Sequence, residues 1–146
     1  MCGIAGIVGG HLEPEERRQH TERMVSAIRH RGPDGGGVTT QGDAALGMAR
    51  LAIVDLAGGQ QPMLNDDQSV ALVFNGEIYN APALRQSLQR DGVHFHTRSD
   101  TEVILRLYER DPTAVETHLV GMWAFAIHDR RRRRLLLSRD RFGIKP

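Results

Sequence analysis

The chain of 146 residues has one cysteine, almost no net charge and no long hydrophobic run. Each of these features excludes a structural element or a class of partner. A single cysteine cannot form an intramolecular disulfide, which fits a reducing compartment. A formal net charge of +1 gives no overall attraction to nucleic acid or to an anionic membrane. No apolar run approaches the roughly 18–20 residues of a membrane span, and the N-terminus lacks a basic region followed by an apolar one. We therefore expect a cytoplasmic protein that binds neither nucleic acid nor membrane.

The overall composition is typical of a soluble globular protein, and we assign residues 1–146 to one domain. Hydrophobic residues make up 40% of the chain and charged residues 25%. This length is sufficient to bury a core. The chain finishes on RFGIKP, without a polar tail or a helix stop, so we expect it to be the front part of a longer protein.

The first ten residues, MCGIAGIVGG, predict a short buried strand that carries the only cysteine. Removal of Met1, which the small Cys2 side chain permits, would leave a thiol and a free α-amine on one Cα. Such an amine can act as the base for its own side-chain nucleophile. The reference pKa values, about 7.7–8.0 for an α-amine and about 8.5 for a thiol, allow proton exchange near neutral pH. Cys2 is a candidate nucleophile, and the alternative is an ordinary small buried residue.

Apolar periodicity predicts strands at 44–54, 70–74, 93–97, 122–127 and 135–137. Helices are expected from Pro14, from about Pro82 to Asp91, after Ser99, and from about 113 to 119. In the first helix, Met24, Ala27 and Ile28 repeat at helical spacing and predict its buried side. In the third, Ser99 and Glu102 have the spacing of a capping box, and the apolar stripe is expected at Val103, Ile104, Leu107 and Tyr108.

Arg50 interrupts the apolar run at 44–54, and this position is informative. A charge is costly to bury unpaired, so the guanidinium must meet a carboxylate, which its geometry suits well. That carboxylate belongs either to the protein or to a ligand.

Asn75 and Gly76 follow a predicted strand and allow two interpretations. Asn-Gly is the usual two-residue hairpin turn. Alternatively, the strand end presents the Asn75 amide and the Gly76 N–H in one direction, as an oxyanion pocket. Asp100 also allows two interpretations. A carboxylate in the first turn of a helix can face a ligand ammonium or simply complement the helix dipole.

Two further features are assigned to the solvent-exposed surface. His94 and His96 share one face of a predicted strand, but no cysteine or clustered carboxylate completes a metal site, so we expect no metal. The five consecutive arginines at 130–134 raise a nucleic-acid hypothesis. They lie in a predicted turn without interleaved aromatic residues, and a solvated hairpin tip is the favoured interpretation.

Taken in order, the motifs of this chain resemble those of class II glutamine amidotransferase domains. Within that family they most resemble the N-terminal domain of glutamine-hydrolysing asparagine synthetases. The likeness covers nearly the whole chain. It is carried by MCGIAGIVGG, RHRGPDGGG, ARLAIVDLAGGQQPM, VFNGEIYN, SDTEVILRLYER, GMWAFAIHD and LLLSRDRFGIKP.

The resemblance implies an α+β fold, the four-layer αββα sandwich of two antiparallel sheets found in N-terminal-nucleophile hydrolases. It also implies roles for particular residues. Cys2 would be the nucleophile, with its own amine as the base, and Asn75 and Gly76 would form the oxyanion hole. Arg50 would bind the α-carboxylate of glutamine and Asp100 its α-ammonium. Backbone groups of Ile53, Val54 and Glu77 would line the substrate pocket.

The reaction implied is hydrolysis of L-glutamine to glutamate and ammonia, without a cofactor in this domain. In the family, a C-terminal synthetase domain, absent from this chain, uses ATP and Mg to amidate aspartate with that ammonia. A homodimer is also possible. Two alternatives stay open: a relative that amidates another carboxylate acceptor, and a non-catalytic glutamine-binding module if Met1 is retained.

Overall fold

The computed structural model describes residues 2–52, 55 and 58–146. These residues form seven β-strands and four α-helices, with a one-turn 3-10 helix at Arg29–Arg31. The strands are β1 (Gly3–Val8), β2 (Gly35–Gln41), β3 (Ala44–Arg50), β4 (Met63–Leu64), β5 (Val70–Ile78), β6 (Gly121–Asp129) and β7 (Arg134–Arg139). The helices are α1 (Pro14–Ala27), α2 (Ala81–Arg90), α3 (Asp100–Arg110) and α4 (Val115–His118).

The strands build two antiparallel sheets that face each other. One sheet has the order β1-β3-β2 and the other the order β4-β5-β6-β7. Strands β1 and β3 contact β5 across the gap, α1 covers the outer face of the first sheet, and α3, with α2 against it, covers the second. This arrangement confirms the predicted α+β sandwich with helices outside two stacked sheets.

The hydrophobic core is divided by the second sheet into two unequal parts. The larger part lies between that sheet and its helices and contains Trp123, Phe125 and the predicted stripe of α3, Val103, Ile104, Leu107 and Tyr108. The smaller part lies between the sheets and is built mainly from small or aliphatic residues such as Leu46, Met48 and Val73. Cys2 packs against this second part. No helix of the described residues is both long and apolar enough to cross a membrane.

The buried face of α1 matches the predicted one only at Ile28, whose side chain lies against Gly3 of β1. Met24 is 41% exposed and Ala27 is also exposed. The helix instead turns Thr21 and Val25 towards Gly47 of β3, where a Cβ atom would lie only 2.6 Å from the Val25 side chain and 3.1 Å from that of Thr21. The glycine therefore sets which face of the helix approaches the sheet, and helical spacing alone did not reveal it.

The predicted capping box of α3 is half correct. Ser99 caps the helix, because its hydroxyl oxygen accepts a hydrogen bond from Thr101 N at 3.1 Å. Glu102 does not return a bond to the cap. Its buried carboxylate accepts from the backbone N–H groups of His96 (2.9 Å) and Thr97 (2.7 Å).

The same contacts explain why the predicted strand at 93–97 is wrong. Residues 93–97 form no strand, since Glu102 takes two of the N–H groups that a sheet partner would need. The side chains nevertheless alternate as predicted, with His94 and His96 exposed.

The arginine run forms a hairpin tip, as predicted. Strands β6 and β7 pair directly, and Arg130, Arg131, Arg132 and Arg133 between them are exposed. Arg131 forms an ion pair with Asp67, and Arg132 forms one with the buried Asp129. Absence of nucleic-acid binding stays a prediction.

Tyr108 provides a test of the larger core. Its buried hydroxyl donates to Asp129 at 3.0 Å, and burial together with this partner raises the pKa of Tyr108 to about 12. Tyr108→Phe removes one buried hydrogen bond and should lower the free energy of unfolding by about 1–2 kcal/mol in urea titrations. Tyr79→Phe, at a side chain that is 57% exposed, is the matched control and should change it by under about 0.5 kcal/mol. Equal effects of the two changes would contradict the assignment.

Candidate active site

Cys2 lies at the start of β1, where the strand enters the space between the two sheets. Its neighbour Gly3 pairs with Ala49, so Cys2 lies beside the end of β3. The Cys2 sulfur accepts a hydrogen bond from Leu51 N at 3.3 Å and donates one to Leu51 O at 3.5 Å. Arg31 Nε donates to the Cys2 carbonyl oxygen at 3.1 Å. The thiol and its backbone are therefore both held, and Leu51 N–H remains a donor to the sulfur if the thiol loses its proton.

Strand β5 faces Cys2 with an edge that is only partly paired. Tyr79 N donates to Val120 O at 2.8 Å, which sets the alternation of the antiparallel ladder. In this register the N–H groups of Phe74, Gly76 and Ile78 all point away from β6. The short strand β4 pairs with β5 only at residues 71–72 and leaves this part of the edge open.

Two of these three N–H groups are bound by side chains. Phe74 N donates to Gln61 Oε1 at 2.7 Å, and Ile78 N donates to Asp100 Oδ2 at 3.0 Å. The Gly76 N–H between them faces the cleft. The Asn-Gly pair is thus not a hairpin turn, because β5 continues through it to Ile78.

The Asn75 side chain lies on the inner face of β5. Alternate residues of a strand point to opposite faces, and Val73 belongs to the cluster between the sheets whereas Phe74 belongs to the one under the helices. Asn75 therefore points towards the inner space, as Cys2 does. Its side chain is buried and lines the cleft.

Asp100 is brought to the cleft by the N-terminus of α3. Its Oδ2 atom accepts a hydrogen bond from Ile78 N, which ties the carboxylate to the edge of β5. Burial raises the pKa of Asp100, with a smaller contribution in the same direction from the Glu77 charge, and its backbone hydrogen bonds oppose that rise.

Arg50 ends β3 and is 5% exposed. Its Nη2 donates to Asp55 O at 2.8 Å. The Asp55 carboxylate accepts in turn from Arg98 N (2.7 Å) and Gly58 N (2.9 Å), and these bonds lower the pKa of Asp55. The Asp55 carboxylate thus binds the backbone N–H groups of Gly58 and Arg98, and Arg50 lines the cleft.

A single cleft brings together the predicted site residues that the structure describes. They are Cys2, Arg50, Asn75, Gly76, Glu77 and Asp100. The other two, Ile53 and Val54, lie outside the described residues, as does Met1. The described residues contain no group of three or more His, Cys, Asp or Glu side chains suited to a metal ion.

Leu51, Gln61 and Lys145 also line this cleft, and sequence reasoning did not select them. Leu51 acts through its backbone, which no side-chain pattern reveals. Gln61 lies between the predicted strands at 44–54 and 70–74, where the sequence predicts no regular element. Lys145 is 6% exposed near the chain end, where its backbone N donates to Asp140 Oδ2 at 3.0 Å.

This geometry suits nucleophilic attack on a carbonyl group. A thiol faces a backbone N–H and a side-chain amide that can both donate to a developing oxyanion, and cationic and anionic side chains stand nearby. Stacked sheets with a nucleophile on the first strand are the architecture of N-terminal-nucleophile hydrolases. A solved structure of a glutamine phosphoribosylpyrophosphate amidotransferase from B. subtilis matches it with a TM-score of 0.80 and 26% identity, over 100% of this chain and 38% of that one.

Sequence comparison specifies the family further. A model of the glutamine amidotransferase domain family matches residues 1–146. The chain belongs to this family.

Relatives of this chain include larger synthetases. It is 42% identical over 147 residues to a probable glutamine-hydrolysing asparagine synthetase of Dictyostelium discoideum, and 40% identical over 146 residues to the Arabidopsis thaliana asparagine synthetase 3. Both matches cover the whole chain, which spans only 26% and 25% of those proteins.

Gly76 offers a direct test of the strand edge. A Cβ atom there would collide with the Met122 carbonyl oxygen and lie 2.8 Å from Trp123 Cα, so β5 and β6 would have to separate. Gly76→Ala should lower the free energy of unfolding by about 1–3 kcal/mol, measured in urea, and should impair ammonia release from glutamine. Gly37→Ala is the control, because its Cβ would meet nothing closer than 3.7 Å. A Gly76→Ala protein with full stability and turnover would contradict this packing.

Proposed function

We propose that this domain hydrolyses L-glutamine to glutamate and ammonia through a γ-glutamyl thioester on Cys2. The observation that carries the proposal is the meeting, in one cleft, of the Cys2 thiol, the inward-facing Asn75 and the Gly76 N–H on an open strand edge. Arg50 and Asp100 line the same cleft and supply opposite charges for an amino-acid head group.

The first step forms a tetrahedral intermediate on Cys2. After removal of Met1, the free amine of Cys2 takes the thiol proton, and the sulfur attacks the side-chain amide carbon of glutamine. The carbonyl electrons move to oxygen, which accepts hydrogen bonds from Gly76 N and the Asn75 amide. Leu51 N–H, at 3.3 Å, continues to donate to the sulfur while it carries charge.

Breakdown of this intermediate forms the thioester and releases ammonia, and hydrolysis of the thioester then releases glutamate. The ammonium form of the Cys2 amine gives its proton to the leaving nitrogen, the carbon–nitrogen bond breaks and ammonia departs. Water then adds to the thioester carbonyl with the amine again as base. The carbon–sulfur bond breaks, glutamate leaves and the thiol is restored. The oxyanion of each tetrahedral intermediate uses the same two donors, Asn75 and Gly76.

Recognition of the substrate head group falls to Arg50 and Asp100. The guanidinium of Arg50 would bind the α-carboxylate, and the Asp100 carboxylate would accept from the α-ammonium. Backbone groups of Ile53, Val54 and Glu77 would complete the pocket. Because both the α-carboxylate and the α-ammonium would be bound, an amide that lacks the α-amino group should react poorly.

In the longer relatives this domain is joined to further chain, and we extend the proposal to that context. The ammonia would serve an ATP-dependent, Mg-assisted synthetase domain that amidates aspartate. The glutaminase domain itself would need no cofactor, since Cys2 supplies both nucleophile and base. A reducing cytoplasm suits a catalytic thiol, and assembly as a homodimer stays a prediction.

Intact mass and a glutamine-like electrophile test the proposed function. The purified chain should lack Met1, and 6-diazo-5-oxo-norleucine should add one covalent adduct at Cys2. Cys2→Ala should abolish the adduct and glutamate release while leaving glutamine binding largely intact. A full-length mass with no adduct would favour a glutamine-binding module, and undiminished turnover by Cys2→Ala would overturn the assignment of the nucleophile.

Asp100 predicts a pH dependence of substrate affinity. Its raised pKa keeps the carboxyl protonated to a higher pH than an ordinary aspartic acid, and the neutral form no longer attracts an α-ammonium. The KM for glutamine should therefore rise on acidification, starting above the usual aspartate range. Asp100→Asn, which keeps an acceptor for Ile78 N, should have a high KM without this rise. Asp91→Asn, at an exposed site, is the control and should show the same rise in KM as the unaltered chain. A KM of the unaltered chain that does not change with pH would contradict the role of Asp100.

A further inference from the structure

The Gln61 side chain forms a bridge that the reaction described above does not use. It is 8% exposed and lines the cleft. Its Oε1 accepts from Phe74 N at 2.7 Å, and its Nε2 donates to Thr101 Oγ1 at 3.1 Å. One buried amide thus connects strand β5 to the first turn of helix α3.

The first contact lies next to the oxyanion donor. Phe74, Gly76 and Ile78 present their N–H groups on one edge of β5, with Gln61 bound to the first and Asp100 to the third. These two acceptors hold the edge on either side of Gly76, where β4 no longer pairs with it. Without Gln61, a buried N–H two residues from the oxyanion donor loses its partner, which is costly and favours movement of the strand.

The second contact lies next to the ammonium-binding carboxylate. Thr101 follows Asp100 directly in α3, and the Thr101 hydroxyl is buried against Gln61. Movement of β5 relative to the start of α3 would change the spacing between the reacting carbonyl and the head-group contacts. Misplacement of reacting groups by about 1 Å can cost as much as 100-fold in rate.

We propose that Gln61 is a positioning residue that orients the Gly76 N–H towards the oxyanion by holding Phe74 N and Thr101. This inference rests on the proposed glutaminase function. Gln61 touches neither the thiol nor, in this account, the substrate, and it acts through the backbone of β5.

The test compares Gln61→Met with Gln60→Met in glutamine hydrolysis. Methionine is close to glutamine in length and removes both hydrogen bonds, and Gln60 is the exposed neighbour. Gln61→Met should lower kcat and kcat/KM together by about tenfold or more, because the lost interaction acts in the transition state. Its KM should change by less than about threefold, and Gln60→Met should match the unaltered chain.

A second pair of readouts separates positioning from general damage. The aldehyde analogue of glutamine forms a tetrahedral adduct with the thiol, so its affinity should fall in parallel with kcat/KM. Iodoacetamide alkylates the sulfur by displacing iodide and forms no oxyanion, so its rate should be unchanged in Gln61→Met. Thr101→Ser should retain activity, since it keeps the hydroxyl, whereas Thr101→Val should lose part of it.

Failure of the positioning role of Gln61 and failure of the glutaminase function give different outcomes. Full kcat in Gln61→Met, or an alkylation rate that falls as far as kcat does, would overturn the positioning role while leaving an active glutaminase. An unaltered, folded chain that releases no ammonia would overturn the proposed function and this inference with it.

Discussion

The open amide edge of strand β5, between Phe74 and Ile78, is the constraint on which the rest of the site depends. An interior strand normally pairs on both sides, but β4 ends after two residues and leaves three N–H groups without a neighbouring strand. Buried N–H groups need acceptors. Two find them in Gln61 and Asp100, and the Gly76 N–H is left to face the cleft. The site therefore lies where the pairing of β5 with β4 stops, and the Gly76 N–H at this edge is available to a substrate.

The second requirement is that a nucleophile reaches this edge, and the stacked sheets provide it. Pairing of β1 with β3 brings Cys2 to the end of the first sheet, where Leu51 and Arg31 hold its sulfur and its carbonyl oxygen. The small core between the sheets allows their close approach. The larger core under α2 and α3 fixes β5 from behind, so catalysis and folding use opposite faces of one strand.

Much of this arrangement was predictable, because its chemistry lies in residue types at unusual positions. A cysteine next to the initiator, an arginine in an apolar run and an Asn-Gly pair after a strand each allowed two interpretations, and the family resemblance assigned all of them to one site. The rest depended on tertiary contacts. Strand β2 was not predicted, because its three glycines carry no apolar pattern, and the predicted strand at 93–97 is absent because Glu102 binds two of its backbone N–H groups. Gln61 binds the backbone N–H of Phe74, and the backbone N–H of Leu51 binds the Cys2 sulfur. Both contacts join residues that are distant in sequence, so local sequence patterns do not reveal them.

The carbonyl oxygen of a Cys2-bound substrate should lie between two donors on β5. A crystal structure of the Cys2 adduct with 6-diazo-5-oxo-norleucine tests this most directly. We expect the adduct's carbonyl oxygen at about 2.7–3.1 Å from Gly76 N and from the Asn75 side-chain nitrogen, with the head group between Arg50 and Asp100. An adduct oxygen directed away from β5, with Gly76 N bonded elsewhere, would contradict it.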